Sequence, residues 1–591
     1  MSSFRYLVVL PLFIAPIAGC RQGTDAAGMV LLNGTIITVD SADRIAQAVA
    51  IKEGRITAVG TSAQIRALVG PKTQVVDLKG LTATPGLIDT HLHFTVGGVR
   101  KLLNIELSYP AVRRIADVRD SVRARAERAA PGAWIQGSGW DEGKLEERRL
   151  LTARDLDDVS GGHPVWLWNT SGHYGVANSE ALRLAKIDRN TPSPPAGVID
   201  RYPDRTATGV LKESAINLVT DITPPASQTE LEKAIKIFAA ELLSEGMTAV
   251  KDPSVRLPDW EAYRSLRARD ELGVRVFALW VFRGKTLDSA RALIANIGKF
   301  TRPYESTGDD RLISGGVKLF MDGSALARTA WVYDNWNNEG REIDSGNRGF
   351  PDTDPDVFRQ EVRLFHDAGL HMSVHAVGDR AIDWVVDSYA EALAANPVVG
   401  RRHGIIHAIF PTAHAIEVMA DLQRRYDAGV PEAQPPFMWW LGDALAANLG
   451  ATRLPRVKPF RTYLTHGIRW GSGSDYFVAP FAARYGMWSS VARETLLGTY
   501  GKTPFGTDES IGVHDALKSY TIWAARQLFL ERKVGSIEVG KYADIAVWDR
   551  NPYDVPTRDL KDMRCELTVF NGRIAFRRDG SLLDVPGGTR R

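Results

Sequence analysis

The run Pro85-Gly86-Leu87-Ile88-Asp89-Thr90-His91-Leu92-His93 sets three groups able to hold a metal ion at alternate positions. In a strand, alternate side chains share a face, so Asp89, His91 and His93 project together while Ile88, Thr90 and Leu92 pack behind them. Imidazoles and carboxylates suit Zn²⁺, and an ion held by them activates water for hydrolysis. A polar strand end is the other reading of the same pair. Further donors come later in the chain. His371 and His375 are four apart in the apolar run 370–377 and share a strand face. A functional ligand sits nearer the C-terminal end of such a strand, which selects His375, before the Gly378-Asp379 turn. The same reasoning selects His407 over His403. Each of these histidines alone would serve equally well in a structural role. Gly473-Ser474-Asp475 ends another apolar segment on a carboxylate, which could also cap the next helix.

Donors this far apart in sequence need a scaffold that gathers strand ends. From about 82 to 532, apolar runs of strand length alternate with helical patterns, which predicts an α/β fold with a mostly parallel sheet, best matched by a (β/α)8 TIM-like barrel. Strands are expected at 273–281, 314–321, 370–377, 404–409 and 468–472, and helices at 230–243, 356–368 and 380–395. Residues 20–81 and 533–591 read as short strands with Asn-Gly and Glu-Gly turns, the two parts of one small composite β-sandwich. About 134–218 is rich in turn formers and too long for a plain βα loop, so it is expected as an insertion over one barrel mouth. Within that insertion His173 could meet a substrate from above or simply make local hydrogen bonds. The cluster Phe437-Met438-Trp439-Trp440 could line an apolar substrate pocket, with Trp439 and Trp440 in contact, or pack on the rim. Asp322 could cap a helix or orient a ligand. His163, His366, His414, His466 and His514 lack partner spacing and are expected to be structural.

The composition narrows the class. At 591 residues, 44% hydrophobic and 24% charged, the chain can bury a large core, which excludes disordered and collagen-like classes. Lys and Arg number 73 against 70 Asp and Glu, a net +3, with no dense basic run for nucleic acid to follow. Arg5 precedes an apolar stretch of thirteen residues, Tyr6 to Ala18, too short for an ordinary transmembrane helix and suited to a signal-peptide core. Ile17-Ala18-Gly19-Cys20 resembles a bacterial lipobox. That implies removal of 1–19, lipidation of Cys20, and a membrane-anchored lipoprotein facing the periplasm; cleavage at an ordinary signal site nearby is the alternative. With Cys20 in the leader region, Cys20 and Cys565 form no disulfide framework.

Five segments occur in an order that resembles the amidohydrolase superfamily: Pro85 to His93, Gly316-Val317-Lys318-Leu319-Phe320-Met321-Asp322-Gly323-Ser324, His375-Ala376-Val377-Gly378-Asp379-Arg380-Ala381, His407-Ala408 and Gly473-Ser474-Asp475. The Lys-x-Phe-x-Asp-Gly-Ser and His-Ala-x-Gly-Asp-Arg-Ala runs are similar to its amidohydrolase 3 group, and the likeness covers nearly the whole chain. The resemblance implies His91 and His93 as ligands of one metal, His375 and His407 as ligands of another, and Asp475 as ligand and proton acceptor. It implies Lys318 as a CO₂-derived carbamate bridging the two, with Zn²⁺, Mn²⁺ or another divalent ion bound. Ile406 departs from the charged residue often found before the fourth histidine. The expected activity is hydrolysis of a non-peptide amide or N-acyl carbon–nitrogen bond in a small molecule by a metal-activated hydroxide. Deamination, or ester and lactone hydrolysis, on the same site is the alternative among enzymes, and an inactive lipid-anchored binding protein is the alternative from another class. Self-assembly into a homo-oligomer is left open.

Overall fold

The computed structural model describes residues 26–298, 309–336, 346–498, 505–581 and 583. The leader and Cys20 lie outside the described residues. Among those described, no helix is long and apolar enough to cross a membrane.

Eight parallel strands form the centre: β1 (Leu87–Asp89), β2 (Met247–Val255), β3 (Arg275–Val281), β4 (Leu312–Phe320), β5 (His371–Ala376), β6 (Gly404–His407), β7 (Val430–Ala433) and β8 (Gly471–Ser472). They follow one another in chain order around the sheet, and the ring is completed where the Thr90 amide donates to the Ser472 carbonyl at 3.1 Å. This is the expected TIM-like barrel. Helices between the strands begin on strong caps: Ser227 and Glu230 form a capping box for Gln228–Ser244, and the Asp354 carboxylate accepts from two amides opening Pro355–Asp367. Outward residues such as Val317, Leu319, Met372, Val374 and Ile405 are buried against these helices. The inward face is polar instead. Lys251 Nζ, fully buried, lies 2.7 Å from Glu432 Oε1, 2.9 Å from Ser373 Oγ and 3.0 Å from His371 Nε2, tying β2, β5 and β7 together across the barrel interior.

Described segments from both sides of the barrel sequence form two facing sheets. One has four strands, Arg55–Gly60, Ala48–Lys52, Met29–Leu32 and Gln74–Asp77. The other has six and mixes both termini, in the order Arg573–Arg577, Cys565–Phe570, Ile545–Trp548, Thr82–Pro85, Thr35–Ile37 and Ile45–Ala46. Leu31, Val49 and Val76 from the first meet Ile36, Ile545 and Leu567 from the second. Thr82–Pro85 pairs with Ile545–Trp548, so this sandwich extends to Pro85 and not to 81. A buried ion pair, Arg275 Nε to Asp544 Oδ2 at 2.7 Å, fastens it to β3.

A third sheet of six strands, spanning Ile105–Glu106 to Ala207–Glu213, is inserted between β1 and β2. It begins at Ile105, well before the expected 134. Its helix Ile115–Ala126 has the apolar period of an ordinary barrel helix and so was indistinguishable from one by pattern. The sheet reaches the barrel mouth, where Thr170 Oγ1 donates to the Val478 carbonyl at 3.1 Å.

Candidate metal centre and active site

His91 and His93 follow β1, and Asp475 follows β8, its neighbour across the closure of the ring. His91 Nε2 lies 3.2 Å and His93 Nε2 3.0 Å from Asp475 Oδ1. One ligand atom from each of the three falls within 4.8 Å of the others, the spacing that bonds of about 2.0–2.2 Å to a shared ion require. Asp89 does not join them. Its carboxylate accepts from the His91 amide at 2.9 Å and from Ser474 Oγ at 2.7 Å, stapling the two strand ends together. Gly473 makes room for that staple, because a Cβ there would lie 2.5 Å from Asp89 Oδ1. Asp475 (φ 56°) and His407 (φ 74°) both hold left-handed backbone, a strain that the packed site maintains.

Hydrogen-bond polarity shows which ring atoms are available. His93 Nδ1 lies 3.0 Å from Ser254 Oγ, which itself lies 3.1 Å from Asp252 Oδ1. His407 Nδ1–H donates to Gln434 Oε1 at 2.8 Å, and His375 Nε2–H to the Gly323 carbonyl at 3.0 Å. Lys458 Nζ also donates to that Gln434 oxygen, at 3.3 Å, and to the His407 carbonyl at 2.6 Å. The atoms left over, His375 Nδ1 and His407 Nε2, are then two lone pairs 3.0 Å apart. The Nε2 atoms of His91 and His93 converge on Asp475 Oδ1. His91 Nδ1 is buried with no partner among the described residues. Lone pairs facing one another beside a carboxylate are satisfied by a cation, so the donor set fits a divalent metal.

The electrostatics agree. Burial, then the field of Lys318, presses the His91 imidazole down to about 3. His375 and His407 are also held well below the usual range, chiefly by burial. Burial alone would raise the Asp475 carboxyl, but His91, His93 and His407 outweigh it and hold the group well below the usual carboxylate range. Lys318, on β4, is 1% exposed, and burial brings its amine down to about 7 against the pull of Asp475 and Glu432. Its Nζ lies 4.7 Å from the Phe320 ring.

A cavity of about 30 Å³ opens on this centre, walled by His173, His375, His407, Phe437, Asp475 and Val478 among others. His173 reaches it from the inserted sheet, its ring 5.1 Å from that of His375. Trp439 and Trp440 do not line it. The short helix Pro436–Trp440 turns Phe437 toward His407, ring centroids 5.9 Å apart, and directs Trp439 onto Tyr485 and Trp440 under Lys144. Asp322 accepts from the amides of Trp331, Val377 and Gly378, joining the loops after β4 and β5. Ser254, Gln434 and Lys458 are the polar partners that sequence reasoning missed. Gln434 directly follows β7, the position that marks ligands on other strands, which was the available signal.

A sequence profile of the Amidohydrolase family matches residues 74–576. The chain is 29% identical over 566 residues to N-substituted formamide deformylase of Arthrobacter pascens, covering 94% of this chain and 100% of that one. It is 30% identical over 548 residues to the protein LONG AFTER FAR-RED 3 of Arabidopsis thaliana, covering 90% and 89%. Among solved structures, an uncharacterized metal-dependent hydrolase from Pyrococcus horikoshii OT3 superposes with a TM-score of 0.70 at 24% identity, over 90% of this chain and 99% of that one, and so shares the fold. A barrel of this architecture, a donor set that needs a cation and a family match across most of the chain lead to one conclusion: the chain belongs to the amidohydrolase family and is a metal-dependent amidohydrolase.

Proposed function

We propose that the enzyme hydrolyses the carbon–nitrogen bond of a small N-acyl amine, with a formyl group as the acyl part. The observation that carries this reading is the convergence of the donors on a cavity walled by Phe437 and Val478. The formyl part follows the relative named for deformylating N-substituted formamides.

His91, His93 and Asp475 would hold one ion and His375 and His407 a second, Zn²⁺ by donor chemistry and Mn²⁺ as the substitute. Such ions supply Lewis acidity and an activated water. Lys318 would contribute as a CO₂-derived carbamate, because two divalent ions among neutral imidazoles and one carboxylate need further negative charge, and an amine brought down to about 7 is partly neutral and open to CO₂. The Asp475 carboxylate takes a proton from the attacking water and returns it to the leaving nitrogen. Phe437, Val478 and Leu441 exclude bulk water from that transfer. Attachment of the mature chain to a membrane through lipid on Cys20 belongs to the same reading; Cys20→Ser should move the protein to the soluble fraction.

The test is turnover on a matched panel of N-formyl, N-acetyl and N-benzoyl amines and the corresponding esters, before and after metal removal checked by elemental analysis. Formamides should be cleaved fastest, activity should vanish on stripping, and Zn²⁺ should restore it. Full turnover in metal-free protein, or cleavage of esters alone, sinks the proposal. Lys318→Ala should lose most activity and recover part of it with a short carboxylic acid in the buffer; near wild-type turnover without the acid removes the carbamate.

A further inference from the structure

The inserted sheet ends at an unusual residue. Glu213 closes the strand Ala207–Glu213 with φ 51° and ψ −129°, left-handed backbone outside any favoured basin for a residue with a side chain. Strain of this kind persists only where surrounding contacts hold it. Here the contacts are on both sides of the carboxylate. Glu213 Oε2 accepts from His173 Nδ1 at 2.9 Å, and the Glu213 amide donates to the His173 carbonyl at 2.9 Å. Glu213 Oε1 accepts from the Thr329 hydroxyl, which in turn accepts from the Ser324 amide at 2.9 Å. Gly323 lies against this pair: a Cβ there would be 2.6 Å from Glu213 Oε1 and 2.3 Å from Thr329 Oγ1. The Gly323 carbonyl is the acceptor that orients His375.

One carboxylate from outside the barrel therefore touches two parts of the centre. With Nδ1 committed to Glu213, His173 keeps Nε2 free of any hydrogen-bond partner among the described residues, on a ring that lines the cavity. With Oε1 committed to Thr329, the turn 322–324 is pinned at the residue whose carbonyl fixes the His375 tautomer. We propose that Glu213 is a positioning residue through which the inserted sheet takes part in the reaction, presenting the His173 Nε2 edge to the substrate and fixing, through the Gly323 turn, the ring of His375. This rests on the hydrolytic reading for its first half only; the second concerns metal affinity and needs no substrate.

The experiment pairs steady-state kinetics on the best substrate of the panel above with metal affinity from competition against a chromophoric chelator. Glu213→Gln keeps the volume but offers His173 an amide in place of a carboxylate. It should lower kcat about 10²-fold with KM within about threefold, and raise the metal Kd about tenfold, the usual effect of disturbing a ligand's orienting partner. His173→Gln should lower kcat to the same degree and leave the metal Kd unchanged. Because the two act as one unit, the double variant should lose no more kcat than either single one. Losses that multiply in the double variant, or a Glu213→Gln protein with wild-type kcat and wild-type metal Kd, overturn the proposal. Should Glu213→Gln fail to fold, Thr329→Val removes only the hydroxyl on Oε1 and should still raise the metal Kd; an unchanged Kd there counts against it. If no substrate in the panel is turned over, the hydrolytic reading has failed, and the chelator competition still decides the part that concerns His375.

Discussion

The barrel holds two groups of histidines on the same strands, and they differ in how their nitrogens are used. β5 carries His371 and His375, and β6 is preceded by His403 and ends at His407, both pairs four residues apart. All are buried. At the base of the barrel, the Met372 amide donates to His403 Nδ1 at 3.3 Å, His403 Nε2–H to His366 Nδ1 at 3.0 Å, and His366 Nε2–H to the Asn396 carbonyl at 2.8 Å. His371 donates to the Arg401 carbonyl at 3.0 Å and accepts from Lys251. Every ring there has one donor and one acceptor contact, and each chain of bonds ends on a backbone carbonyl. At the mouth the same accounting leaves lone pairs facing lone pairs. Burial and spacing do not separate a structural histidine from a candidate metal ligand, but the polarity of its partners does.

Substitution should divide the two groups sharply. His91→Ala or His407→Ala should cost the protein bound metal, measured by elemental analysis, and lower turnover on the order of 10³-fold or more. His403→Gln at the base should keep full metal content and a kcat within about threefold, while losing roughly 1–3 kcal/mol of stability through the disturbed chain of bonds. A base variant that loses metal would erase the distinction. Between these extremes stands Gln434, which touches the mouth group only through His407 Nδ1. Gln434→Leu removes the acceptor that fixes the tautomer and should weaken metal binding about 10–100-fold. Unchanged affinity would mean that His407 needs no such partner.

Much of this was readable from residue order, for physical reasons. The rule that working residues sit at the C-terminal ends of barrel strands picked His375 over His371 and His407 over His403, and the mouth and base groups fall on those two sides. Two strands escaped the pattern. β2 reads Met-Thr-Ala-Val-Lys-Asp-Pro-Ser-Val and β7 reads Val-Pro-Glu-Ala, each carrying charges that a buried strand normally excludes. Lys251 and Glu432 are tolerated because they pair with each other across the barrel interior, a long-range fact invisible in either segment. The aromatic cluster was located but not oriented, since only the short helix Pro436–Trp440 decides that Phe437 faces the cavity. Gln434 and Ser254 act through partners distant in sequence, and single polar residues carry no periodicity to betray them.

The smallest effect concerns pH and starts from the base group. Burial, then Lys251, holds His371 well below the usual imidazole range, and burial, then His366, does the same for His403. In the unfolded chain both would take up protons below about pH 6.5, while in the fold they stay neutral. Below that pH the unfolded state binds more protons, so stability present at neutral pH is lost as pH falls, by about 1.4 kcal/mol per pH unit for each histidine. His91, His375 and His407, also held low, add to this slope, and a bound ion steepens it further because protons compete with metal for the same nitrogens. Urea unfolding between pH 5 and 8, with chelator and with Zn²⁺, separates the two groups. His403→Gln should shallow the slope by about one proton's worth in both conditions and leave the Zn²⁺-dependent difference intact. If instead the slope stays as steep as wild type, His403 is already protonated in the fold, and the chain of donors from Met372 to Asn396 runs with a different polarity from the one that distinguishes the base from the mouth.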